Sequence, residues 1–135
     1  MRKLTPTEAA YVAGIIDGEG SIEFKRKERI RRDRVGSPTY NTLIVRLEVP
    51  QVDGRLIDYL METTKEGVRD MKRYPTKENW QDQHRWRCSH HGVYRVLKQV
   101  LRYLIVKQEK AKLVVDHYDK QFKKKTYGKG GFGVK

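Results

Sequence analysis

The 135-residue chain has a single cysteine, Cys88, only four prolines, and no apolar run near the roughly 20 residues that a membrane-spanning helix needs. One thiol excludes an internal disulfide and a cysteine-based zinc site, which suits a reducing compartment. The four histidines do not replace it. His90 and His91 are adjacent and share no helix face, His84 and His117 lie far off in sequence, and no acid stands at ligand spacing. The first residues lack a signal peptide's apolar stretch, so a soluble, intracellular protein of the cytoplasm or an organelle is expected. Acids are scarce too: 17 Asp and Glu against 30 Lys and Arg leave a formal charge of +13. Each phosphate neutralised by a cation releases condensed counterions, so this excess favours a polyanionic partner. A ribosome-associated or membrane-surface protein would be equally basic, so charge alone selects no chemistry.

What is present is clearly punctuated. Thr5-Pro6-Thr7-Glu8 offers an N-cap threonine, a proline at the first helical position and a glutamate that closes a capping box. The helix it starts, "AAYVAGIID", is expected to stop at Gly18, with Gly18 and Gly20 free to take positive φ. "SIEFKRKERIRR" alternates and reads as a strand, and after a Gly36-Ser37-Pro38 loop "TLIVRLEV" does the same. Pro50 is expected to end that second strand. Asp53 caps a helix carrying Leu56, Ile57, Leu60 and Met61, and strands follow at about 68–74 and 80–88. Ser89 is expected to cap a third helix with a stripe from Val93 to Leu104. A fourth begins near Lys107, and residues 126–135 form a basic Gly/Lys-rich tail after a domain of residues 1–125. Trp80 and Trp86 are expected to anchor the core or its rim. The fold class is therefore α+β, in the order αββαββα with C-terminal helices and a four-stranded antiparallel sheet whose second face is free.

That free face is expected to carry Glu23, Lys25, Lys27 and Arg29 from the first strand. The second adds Thr42, Ile44, Arg46 and Glu48, and the fourth Gln83, Arg85 and Arg87. Arg and Gln pair bidentately with base edges, Lys contacts phosphate or guanine, and a thymine methyl would suit Ile44. An ordinary solvated face explains the same charges. Which of Arg69 and Met71 or Asp70 and Lys72 share this face stays open. At the end of the first helix, Asp17 and Glu19 flank a glycine, the one constrained place where a metal ion would find carboxylates. A single copy offers Glu19, Asp17 and a backbone carbonyl, a thin site. Ala10, Gly14 and Gly18 line one helix face almost without bulk, with Ala13 and Asp17 beside it, so two copies packed there would bring two Glu19 groups together. The alternative is that the small face only seats against the chain's own sheet.

Val12-Ala13-Gly14-Ile15-Ile16-Asp17-Gly18-Glu19-Gly20, continued by Ser21-Ile22, resembles the motif of the LAGLIDADG homing endonucleases. "VPQVDGRL", "VRD" after a glycine and "YLIVKQEKAKLVV" look like counterparts in the single-motif, homodimeric members, in the same order over about residues 5–118. The resemblance implies a sheet that forms a DNA-binding saddle over the major groove, entered by Ser21 and the face above, with motif helices forming a dimer interface. It implies a metal site at Glu19 and the carbonyl of Gly18 that takes Mg²⁺, or Mn²⁺ or Ca²⁺ in its place, and a structural Asp17. Gln51 matches a position that organises active-site water, Arg55 a basic one beside it, and Lys107 a lysine near the nucleophilic water or the phosphate. Glu19 stands where aspartate is commoner. The implied function is Mg²⁺-dependent, site-specific cleavage of double-stranded DNA at a long, nearly palindromic target in intron homing. The alternative is an inactive nucleic-acid-binding module of the same fold, a transcriptional regulator or an RNA-splicing maturase.

Overall fold

The computed structural model describes residues 1–30, 39–73 and 81–128, with side chains up to 124. The elements run α1 (Pro6–Glu19), β1 (Ser21–Ile30), β2 (Thr39–Gln51), α2 (Gly54–Thr64), β3 (Val68–Lys72), β4 (Gln83–Ser89), α3 (His91–Val100), a short 3₁₀ turn (Leu101–Tyr103) and α4 (Gln108–Gly128). The order and the antiparallel sheet are those expected. The Gly36-Ser37-Pro38 loop, the far end of "SIEFKRKERIRR", Trp80 and residues 129–135 lie outside the described residues. Within them α4 continues through 126–128, the start of the expected tail.

The strand order is β1-β2-β4-β3, every neighbour antiparallel. Ile22, Val45, Leu47, Val49, Trp86 and Cys88 turn inward and meet Val12 and Ile16 of α1, Ile57 and Leu60 of α2, Val93, Val96 and Leu97 of α3 and Val114 of α4 in one buried cluster. Burial pushes the Cys88 thiol up to about 12, so it stays protonated and packs as a small hydrophobe. α1 begins with the expected box: Thr5 Oγ1 accepts from Glu8 N at 3.2 Å, and Glu8 Oε1 accepts from Thr5 N at 3.0 Å. Asp53 caps α2 by accepting from Arg55 N at 3.0 Å.

Four expectations are corrected by packing. α1 ends one residue later, at Glu19, and its cap Gly20 is extended, with φ −90°. Gly20 is needed for closeness: a Cβ there would stand 3.0 Å from the Ile16 carbonyl oxygen and 3.4 Å from that of Glu48. Ser89 caps nothing; it pairs with Arg46 as the last residue of β4, and His90, with φ 50° and no side-chain cap, opens α3. The Val93–Leu104 stripe is interrupted at Val100 by the 3₁₀ turn, although Leu104 remains buried. Pro50 does not end β2, because it sits opposite Arg85 and the strand runs on to Gln51.

Gly67 makes a tight turn, with φ +89°; a Cβ would stand 2.7 Å from Trp86 Nε1 and 2.9 Å from the Arg87 carbonyl oxygen. The Trp86 indole donates to the neighbouring Glu66 carbonyl at 2.8 Å, so this turn also holds the largest fully buried side chain among the described residues. Gly67→Ala is expected to lower stability by about 2 kcal/mol, from left-handed strain plus the clash, which a urea unfolding curve measures.

Candidate active site and nucleic-acid interface

The end of α1 is fixed by a segment nearly ninety residues away. The Asp17 carboxylate accepts from Ile105 N at 2.7 Å and Lys107 N at 3.0 Å, capping the approach to α4. Lys107 Nζ returns to the Asp17 carbonyl at 2.8 Å, placing a cation on the negative end of α1. Two residues on, Glu19 is exposed and makes no hydrogen bond or ion pair among the described residues. Asp17 is thus occupied in holding the backbone, while Glu19 is available to a ligand. No group of three or more His, Cys, Asp or Glu that could hold a metal occurs among the described residues.

α1 buries Ala9, Val12, Ala13, Ile15 and Ile16 and leaves Ala10, Tyr11, Gly14 and Gly18 outward. Nothing lies within 4 Å of a Cβ built on Gly14 or Gly18, so the small face does not seat against the chain's own sheet. Ala13, expected on the dimer face, is fully buried, because that flank of the helix packs into the core cluster. Ile105 and Val106, at 84% and 76% exposure, stand beside the open end of α1, where Asp17 holds the Ile105 backbone.

Gln51 and Arg55 come together in a groove of about 540 Å³ with Tyr11, Asp53, Leu56 and Tyr59. Gln51 Oε1 accepts from Val52 N at 3.1 Å, and Arg55 grips Asp53 with Nη2 to Oδ2 at 2.6 Å. Neither is hydrogen-bonded or ion-paired to Glu19 or Lys107 among the described residues. The sheet places Gln51 three residues beyond Glu48, the partner of Ser21, on the same end of the sheet as α1's exit.

Register settles the outer face, since residues paired across strands share a side. Ser21, Glu23, Lys25, Lys27 and Arg29 face Glu48, Arg46, Ile44, Thr42 and Tyr40. Arg87 lies between Glu48 and Val68, Arg85 between Pro50 and Asp70, and Gln83 opposite Lys72. Asp70 and Lys72 therefore share this face. Arg69 turns inward to Asp58 and His84 Nδ1, the latter at 3.0 Å. Tyr40, Val68 and Ser89, not expected on this face, lie there as well; the inward Trp86 and Cys88 imply β4's face, but nothing in the sequence shows which residues of β3 pair with it.

Ile44 is on the outer side yet only 7% exposed, so it offers little surface to a thymine methyl. Glu23 is bridged by Lys25 at 2.9 Å and Arg46 at 3.5 Å, and the Lys25 contact first holds its carboxyl below the usual range. A hollow of about 380 Å³ opens between Ser21, Glu23, Arg46 and Glu48. Across the face, cations outnumber carboxylates, the combination that attracts a phosphate backbone while leaving donors for base edges.

No protein-family model and no curated relative matches the chain by sequence. Its architecture does match solved structures. The homing endonuclease I-CvuI, in complex with a DNA target and 2 mM Mg with the DNA not cleaved, superposes with a TM-score of 0.63 at 20% identity, over 88% of this chain and 70% of that one. The chain has the LAGLIDADG homing-endonuclease fold. The archaeal intron-encoded homing endonuclease I-Vdi141I, complexed with DNA, gives 0.60 at 16% identity, over 87% and 70%. The LAGLIDADG meganuclease I-AabMI, bound to uncleaved DNA, gives 0.56 at 16%, with 88% of this chain covering only 38% of that one. In this homing-endonuclease fold the sequence motif spans the last two turns of α1 and its exit into β1. No described helix is long and apolar enough to cross a membrane.

Asp17→Ala leaves the Ile105 and Lys107 amides without their acceptor and is expected to cost about 1–3 kcal/mol, measured by denaturant unfolding. The Asp53 carboxyl lies at about 2, first through its side-chain bond to Arg55, against an ordinary 3.8. Its folded value being depressed, its stabilisation of α2 is complete above 3.8 and is lost as pH falls through about 2. In Arg55→Ala the Asp53 carboxyl, followed by ¹³C NMR titration, is expected to move back up toward 3.8.

Proposed function

We propose that this chain is one half of a site-specific DNA endonuclease: two copies pack through the open face of α1, lay their sheets along a nearly palindromic duplex, and hydrolyse one phosphodiester in each strand. The observation that carries the reading is the outward face of α1, where Gly14 and Gly18 meet nothing within 4 Å and the helix ends on an unengaged Glu19. A small, open face permits close approach of a second copy, and the exposed Tyr11, Ile105 and Val106 beside it supply apolar surface to bury. Coverage of less than half of I-AabMI by this chain suits an assembly of two such units.

The donor set fits a divalent cation only as a shared site. One exposed carboxylate at the negative end of a helix, doubled by a partner copy, matches the habit of Mg²⁺, which takes one or two carboxylates and completes its shell with water and phosphate oxygens. Glu19 and the Gly18 carbonyl would hold it, and it would neutralise charge on the phosphate and make a nearby water more acidic. Lys107, fixed on the Asp17 carbonyl, adds a cation at the same helix end to oppose the charge that develops on the phosphate. Gln51 can hold water by donor and acceptor, and Arg55 steadies the groove in which it lies. The outer face binds the duplex through Lys25, Lys27 and Arg29 and reads base edges through Arg46, Gln83, Arg85 and Arg87.

The test is cleavage mapping on randomised DNA fragments with and without Mg²⁺. Wild-type protein is expected to cut at one long consensus and to sediment as a dimer. Glu19→Gln should keep the dimer and the binding while slowing cleavage on the order of 10³-fold, through lost electrostatic stabilisation of several kcal/mol. Equal cutting by the variant would remove Glu19 from the mechanism, and sequence-specific binding without any scission would identify a binding module.

A further inference from the structure

Asp70 has no part in the proposed hydrolysis, yet among the described residues it is the most connected acid on the outer face. Its oxygens accept from Arg85 Nε at 2.9 Å and Nη2 at 3.1 Å, a side-on, two-point contact, while Arg87 Nη2 stands 2.7 Å from Oδ2. One carboxylate therefore holds two guanidinium groups, and Arg85 first keeps that carboxyl below the usual range, so it stays ionised at neutral pH. The three side chains are partly covered, at 24%, 40% and 31% exposure for Arg85, Arg87 and Asp70, so their positions are set by packing as well as charge. The Arg87 Nε is enclosed and has no hydrogen-bond partner among the described residues. The Arg87 head is directed at Asp70 through its terminal nitrogen.

An acid between two arginines is the wrong arrangement for gripping phosphate, because it repels the ligand and spends part of the cations' field. It suits base reading, where what counts is the plane and direction of the fork. Guanine presents O6 and N7 as two acceptors side by side, and a guanidinium whose plane is fixed by a side-on carboxylate needs no further ordering to meet them. Arg85 and Arg87 are two residues apart on one strand, about 6.7 Å, which is close to two base-pair rises of about 3.4 Å each. A shared carboxylate keeps the two heads from spreading further.

We propose that Asp70 is a positioning residue that sets Arg85 and Arg87 as a coupled reader of two guanines in each half of the target, no more than about two base pairs apart; this rests on the outer face being the DNA-contacting surface. The experiment is selection from a randomised duplex pool by the full-length protein at fixed salt, followed by competition binding with single-base changes in the selected duplex. Each guanine change is expected to weaken wild-type binding about 10-fold to 100-fold. Arg85→Ala should lose one of the two preferences and Arg87→Ala the other. Asp70→Ala should shrink both together while tolerance elsewhere in the site is unchanged. Asp70→Asn, which keeps the shape and removes the charge, should relax both partially and carries the test if the alanine variant folds poorly. The proposal is overturned if selected duplexes lack the paired guanines, if Asp70→Ala weakens all duplexes equally, or if it loses a cytosine preference with both guanine preferences intact. Failure of the wild type to select any sequence would instead overturn the site-specific reading beneath it.

Discussion

The Asp17 carboxylate is the joint on which the molecule turns. It sits at the last turn of α1 and accepts two backbone amides from the segment that enters α4, while the lysine of that segment closes the ring on the Asp17 carbonyl. Three bonds thereby fasten the exit of the first helix to the entrance of the last. Everything beside that joint inherits its position: Gly20 pressed on Ile16, β1 leaving toward the sheet, Glu19 held outward, and the Ile105–Val106 tip next to it. Two neighbouring acids of the same motif have divided their work, one satisfied by its own chain and one left for something else.

A second constraint is the crowding of one turn by a fully buried tryptophan. Gly67 lets the chain reverse against Trp86, whose indole is satisfied by the preceding carbonyl, and β3 can then pair with β4 at the sheet's edge. That pairing turns Arg69 to the helices and Asp70 to the outer face. A packing requirement in the interior thus decides the chemistry of the exterior, because strand sidedness has period two and admits no compromise.

The parts legible from sequence were those governed by neighbours along the chain. The Thr5–Glu8 box, the Asp53 cap and the alternation of β1 and β2 are local, and local chemistry decided them. The acid-ended small helix was legible for the same reason. Ser89 was misread because its role depends on Arg46 across the sheet, and a serine before a helix carries the same local signal whether or not it is in a ladder. Ala13 was misread because residues one position apart on a helix differ by about 100°, and only the packing of the core cluster says which flank is inside. The break at Val100 left no trace in the pattern, since a short 3₁₀ turn keeps Leu104 core-facing. Asp70 needed the β3–β4 register, which no spacing within β3 encodes.

β1 divides in two along its length. Ile22 and Phe24 tie its first half to the core, whereas Lys25, Arg26, Lys27, Glu28 and Arg29 are exposed on both faces of the ribbon, paired through backbone to residues 40–44. Exposed side chains of this kind contribute little to folding, and their replacement shifts stability by about 0.5 kcal/mol or less. The far half of β1 is therefore free to vary at almost no thermodynamic cost. A lineage can explore new surface chemistry there without first acquiring compensating changes in its interior, so the character of that surface and foldability are inherited as separable traits.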